Sequence, residues 1–113
     1  MPSPRHAVIW LVASLVAGAA LSGSAAGEPM TDARAVELER LVRHDCGSCH
    51  GMTLKGGLGP DLRAERFEGV PPAAVARIIL DGVPGTAMPP WRPLISAADA
   101  HWIASYLVKG SKP

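Results

Sequence analysis

The sequence of 113 residues has only two cysteines, one phenylalanine and one tyrosine, and neither sign of charge prevails. Two cysteines exclude a disulfide-knit scaffold, which rests on several bridges. Eleven Lys and Arg against ten Asp and Glu exclude a nucleic-acid binder that works by bulk charge. No stretch alternates apolar and polar residues over strand length, so nothing argues for a sheet. Long apolar runs are also missing. The one candidate spans Ala7 to Leu21, short of the roughly 20 residues that a transmembrane helix needs.

That run has a different signature. Arg5 and His6 precede it, and Ser22-Gly23-Ser24-Ala25-Ala26 follows as a small, polar stretch. A basic start, an apolar centre and a small-x-small end at Ser24-x-Ala26 form the layout of a secretory signal peptide. Residues 1–26 are therefore read as a leader cleaved after Ala26, and residues 27–113 as one domain. The alternative is an uncleaved membrane anchor. Losing Arg5 leaves the mature part formally neutral. A domain this short buries little core of its own and often relies on a staple or a cofactor.

The two cysteines fall in Cys46-Gly47-Ser48-Cys49-His50. The order C-x-x-C-H is a c-type haem attachment pattern. Each thiol must add to one haem vinyl group, so the sulfurs have to point the same way about one helical turn apart. On a helix, Cys46, Cys49 and His50 stand at i, i+3 and i+4, on one face. The histidine after the second cysteine can then turn under the ring and bind iron. Three other readings compete. A Cys46–Cys49 disulfide or thioredoxin-like pair would need flanking strands for its fold. Half a zinc site would need further ligands, with only His44 and His101 as candidates besides His50. The third is a chance match.

The flanking chain reads as helical. Thr31 or Asp32 caps a first helix running to about Arg43, with Ala35, Leu38, Leu41 and Val42 on one stripe that Cys46 extends. Arg34, Glu37, Glu39, Arg40 and Arg43 form its solvated face. Gly51 to Pro60 is a glycine-rich loop that can pass close to a flat ring. Gly59-Pro60 within it is by itself a turn signal. Asp61 to Phe67 suits a short helical turn. A second helix spans roughly Pro72 to Leu80, with Val75, Ile78 and Ile79 as its apolar face and Gly82 at its end. A last helix starts at Ser96, with Asp99 completing a near capping box and Ile95 and Ala100 placed for a hydrophobic staple. Ile103–Leu107 and Trp102–Tyr106 form i,i+4 pairs on it, the aromatics placed to pack against the first helix and the edge of a haem. Between these helices, Gly85-Thr86-Ala87-Met88-Pro89-Pro90-Trp91 is irregular and stiffened by proline. Met88 offers a soft thioether suited to haem iron, far enough along the chain to approach the opposite face from His50. Met30 and His101 are the alternative sixth ligands, and Met88 as a simple gap-filler is the plain one.

The order helix, C-G-S-C-H, G-P, helix, G-T-A-M-P, helix resembles the class I monohaem cytochromes c across nearly all of residues 31–108. The longer strings C-G-S-C-H-G-M-T-L-K-G-G-L-G-P-D-L and G-T-A-M-P-P-W are similar to the cytochrome c-55X group, small cytochromes found with the haem-cd nitrite reductase of denitrifying bacteria. The resemblance implies an all-α fold of three main helices around one haem c. It implies covalent attachment at Cys46 and Cys49, axial ligands His50 and Met88, and a supporting carbonyl at Pro60. A closed iron implies a carrier of single electrons and not an enzyme. Its partners would be a periplasmic nitrite reductase and an upstream electron donor, with no nucleic acid and no stable membrane insertion after cleavage. The alternatives are an accessory protein in loading the reductase cofactor, and a sensor or enzyme in which Met88 dissociates.

Overall fold

Thr31 is the first residue whose local chemistry sets the fold. Its backbone is extended, and its side-chain oxygen accepts the Arg34 N–H at 3.1 Å, satisfying one of the free donors at a helix start. In the computed structural model, which describes residues 29–110, helix α1 then runs Asp32–Leu41. That end lies within two residues of the expected one near Arg43, but the helical path does not break there. The chain continues through a π-helical turn, Val42–Cys46, into a short helix α2, Gly47–His50. Arg43-His44-Asp45 looks like a helix end because it is polar, yet Arg43 is only half-buried and His44 and Asp45 are exposed. These three residues cost the helix nothing where they lie. Leu38 and Val42, one turn apart, are fully buried and anchor the stripe, while Ala35 and Leu41 lie half-buried at its margins.

Leu62 returns its N–H to the Leu54 carbonyl, and a 3₁₀ turn, Ala64–Phe67, follows. Helix α3 spans Pro72–Asp81, with Pro72 in the first turn, where its missing N–H costs nothing. Its buried face is Val75, Ala76 and Leu80, with Ile79 half-buried and Ile78 left 50% exposed. The expected face of Val75, Ile78 and Ile79 is thus corrected by rotation. At about 100° per residue, positions 75, 76, 79 and 80 converge on one side, and 78 points away from it.

Helix α4, Ala97–Val108, opens on a complete capping box: the Asp99 N–H donates to Ser96 Oγ at 3.0 Å, and the Ser96 N–H donates to Asp99 Oδ2 at 3.1 Å. Lys109 closes the helix, and Gly110 takes a φ of 90° just beyond it. Ala100, Ile103, Ala104 and Leu107 are buried on the side that meets α3 and α1. Full burial of side chains such as Leu38 and Ile103 contributes about 1.5–3 kcal/mol each. Trp102 and Tyr106 stack with ring centroids 5.1 Å apart.

The polar face of α1 does more than meet solvent. Arg34 forks onto Asp99 (3.1 and 2.7 Å) while also reaching Glu37, and Tyr106 donates to Glu39, which also accepts from Arg43. Charges read as solvated from sequence therefore tie α1 to α4 at two levels. Among the described residues there are no strands, and no helix is long and apolar enough to cross a membrane. The proposed leader lies outside the described residues.

Candidate functional site

Cys46, Cys49 and His50 sit where the long N-terminal helix ends. The π turn delivers Cys46 half-buried, packed against the core, and Gly47 after it is buried with Met52 lying across it. A π turn widens the helix by one residue and recurs at functional sites. Burial pushes the Cys46 thiol up to about 11, and the Asp45 carboxylate adds to the rise. Cys49 is exposed. Both thiols are free, so the disulfide reading is not realised in this fold.

The following glycine loop is fastened to the helix end. The Gly56 N–H donates to the His50 carbonyl and the Gly59 N–H to the Cys49 carbonyl, each at 2.8 Å, satisfying two carbonyls that the helix leaves open. Gly51 turns the chain with a φ of 90°, and a Cβ there would lie 2.5 Å from the Gly56 carbonyl oxygen. The loop brings Pro60 back over His50, with His50 Nδ1 2.7 Å from the Pro60 carbonyl oxygen. A carbonyl can only accept, so Nδ1 carries the proton, which in the neutral imidazole leaves the lone pair on Nε2. Gly59 presses flat against the ring: a Cβ on it would stand 2.7 Å from both Nδ1 and Cε1.

Met88 is half-buried in a second fastened loop. The Val83 N–H donates to the Met88 carbonyl at 3.2 Å. Thr86 Oγ1 donates to the Val83 carbonyl at 2.7 Å and accepts the Met88 N–H at 3.2 Å. Beyond Met88, the Trp91 and Arg92 N–H groups return to the Ile79 and Leu80 carbonyls, each at 3.1 Å, and Arg92 pairs with Asp81.

Comparison with known proteins agrees with this arrangement. Residues 33–107 match the family described as cytochrome C oxidase, cbb3-type, subunit III. The chain is 52% identical over 89 residues to the cytochrome c55X of Paracoccus denitrificans, covering 79% of this chain and 86% of that one. It is similar to the solved structure of a c-type cytochrome NirC, with a TM-score of 0.70 and 44% identity over 73% of this chain and 96% of that one. The chain belongs to the cytochrome c55X family. A further match, 36% identical over 69 residues, is the dihydro-heme d1 dehydrogenase of Pseudomonas aeruginosa, of which it covers 14%.

Membership in this family of c-type cytochromes implies a haem c group, and the residues present fit one. Two free thiols stand one helical turn apart, and an imidazole beside them has its Nε2 unencumbered by the Pro60 bond. The competing sites fit poorly. Among the described residues no three His, Cys, Asp or Glu side chains group as a metal site, which removes the zinc reading. Met30 lines a groove of about 330 Å³ with Arg34, Ser96 and Asp99 at the start of α1. At 1.5 Å rise per residue, the helix puts that groove roughly 25 Å from His50. His44 and His101 are exposed on their helices. The sequence pointed to the His50–Pro60 contact but not to the contact between Gly59 and the ring, nor to the π turn. Neither has a composition signal, because both are matters of backbone approach.

Proposed function

We propose that this cytochrome is a periplasmic carrier of single electrons, exported by residues 1–26. Haem c would be attached through Cys46 and Cys49, and its iron held by His50 and Met88. The observation that carries the reading is the 2.7 Å bond from His50 Nδ1 to the Pro60 carbonyl. A ligating histidine usually gives its other ring N–H to such an acceptor, which fixes the tautomer and raises the basicity of the ligating nitrogen.

When bound, the haem supplies a one-electron couple at its iron. This chain's residues do the rest. His50 offers Nε2 in a single ring orientation, because Gly59 and Pro60 leave it no other. Met88 presents a neutral thioether, a ligand type that raises the reduction potential. Cys46 and Cys49, on one helical face, would hold the haem covalently at the end of the N-terminal helical segment. If His50 and Met88 both held the iron, no position would be left for a substrate, so transfer and not catalysis is the expected role. The hydrogen bonds that fasten the two loops would hold His50 and Met88 in place.

The electron acceptor we assign is a haem-cd nitrite reductase, on the resemblance of the Cys46–Leu62 and Gly85–Trp91 strings to the c-55X group. The similarity to a dihydro-heme d1 dehydrogenase favours a second reading, service in maturation of the reductase cofactor. A reconstituted assay separates them. Beyond the amount that the reductase's own haems can take up, the ferrous protein should be reoxidised only while nitrite is turned over, and carbon monoxide should cause no fast spectral shift. A reductase that draws no electrons from the protein, yet lacks its cofactor in cells without it, would instead support the maturation role.

A further inference from the structure

Gly82 follows α3 and reads as an ordinary helix terminator. Its surroundings are not ordinary. It holds a φ of 67°, and a Cβ built on it would lie 2.7 Å from the Met88 carbonyl oxygen, the Pro89 carbonyl carbon and the Pro90 nitrogen. All three are backbone atoms, which cannot swing aside as a flexible side chain would. The neighbouring Val83 N–H bonds to that same Met88 oxygen, and Thr86 bridges Val83 to Met88 from inside the loop. Gly85 supplies a contrast within the same loop. It has a φ of 77° but nothing within 4 Å of its would-be Cβ.

Resting on the reading of Met88 as an iron ligand, we infer that Gly82 is a positioning residue for Met88: its bare Cα forms the socket into which the Met88–Pro90 backbone seats. The socket fixes how far the thioether projects from the end of α3. Filling it pushes the Met88 backbone away from α3, because α3 is anchored by the buried Val75, Ala76 and Leu80 while the loop is exposed on its outer side. The sulfur moves with the backbone, and the iron–thioether bond weakens. Gly85 pays only the general cost of a left-handed backbone conformation in a residue with a Cβ.

The test compares Gly82→Ala, Gly85→Ala and Met88→Ala in the full-length, haem-loaded protein. The readouts are the red charge-transfer band of a thioether–ferric complex, imidazole affinity and far-UV melting. Gly82→Ala should bind imidazole at least tenfold more tightly than the parent and lose much of the red band. Gly85→Ala should change affinity less than threefold, even where both melt lower. If Gly82→Ala stays within threefold of the parent, or Gly85→Ala matches it, the socket is overturned. Should Gly82→Ala fail to accumulate, Thr86→Val reads the same loop: it should raise imidazole affinity at least threefold, and Thr86→Ser should restore the parent value. An unaltered Thr86→Val would count against the proposal. Met88→Ala that keeps the red band would instead defeat the ligand reading itself. A band lost in Met88→Ala but intact in Gly82→Ala defeats only the socket.

Discussion

Replacing Gly59 by alanine tests how His50 is held. The backbone at this position is not in the left-handed region, so alanine brings no conformational penalty of that kind. It brings a steric one. The new methyl would stand 2.7 Å from His50 Nδ1 and Cε1 and 3.2 Å from Cγ, where ordinary contact begins at 3.4 Å. The ring and the loop must therefore part by about 0.7 Å, a distance that takes the Nδ1–Pro60 separation of 2.7 Å past the roughly 3.2 Å limit of a good hydrogen bond. A hydrogen bond of this kind nets about 1 kcal/mol. With His50 as the proposed iron ligand, the bond would strengthen its basicity and favour ferric iron, so its loss should favour the ferrous state. If most of that energy is differential, the midpoint potential rises by about 40 mV, since 59 mV corresponds to a tenfold change for one electron. Spectroelectrochemical titration of the purified variant measures this directly. A potential unchanged within a few millivolts, or one that falls, would refute the claim that Gly59 and Pro60 set the state of the proximal ring.

Three further outcomes follow from the same geometry. Asp99→Asn keeps the shape of the α4 cap but removes the charge that accepts from Arg34. It should cost on the order of 1–2 kcal/mol at neutral pH by chemical denaturation, a figure discounted because Arg34 is 39% exposed. The Arg34 guanidinium holds the Asp99 carboxyl below its ordinary value, with the Ser96 N–H assisting. The stabilisation is thus present above about pH 3.9 and is lost as pH falls through the lower folded value. The gap between parent and variant should close in acid. Truncating Ile103, 1% exposed, to alanine should destabilise by about 2–5 kcal/mol, read as a lower denaturation midpoint with the haem spectrum retained. If surface charge steers docking, Lys55→Glu should slow reduction of the partner at low salt and the effect should fade as salt rises. Arg92→Glu should also lower the melting point, because Arg92 is already engaged by Asp81; equal effects from both variants with no change in melting would contradict this distinction.

Much of the fold was legible because its signals are local. Thr31 and Ser96 are side-chain caps with fixed spacing, Pro72 and Gly82 bracket α3, and Cys46 to His50 carry their spacing in five residues. The errors have a common source in tertiary context. The helical path goes on past the end of α1, through the π turn to His50, because the polar Arg43-His44-Asp45 stretch lies where it need not be buried, and residue type alone cannot say so. Ile78 and Ala76 exchange places because α4, not the hydropathy of α3, decides which side is covered. Arg34, Glu39 and Arg43 pass for solvated charges until α4 brings Asp99 and Tyr106 to them. At the site, Pro60 follows from the turn and the resemblance. The bare faces of Gly59 and Gly82 are recognisable only once the ring and the Met88 backbone are seen against them.

The proposed role depends first on one haem held covalently at Cys46 and Cys49. An intact mass measured under denaturing conditions on the protein recovered from the periplasm tests it most directly. A single species is expected, starting at Gly27 and heavier than its polypeptide by one haem, with no thiol open to alkylation. A mass equal to the bare polypeptide, or one that gains two alkyl groups after treatment, would contradict it.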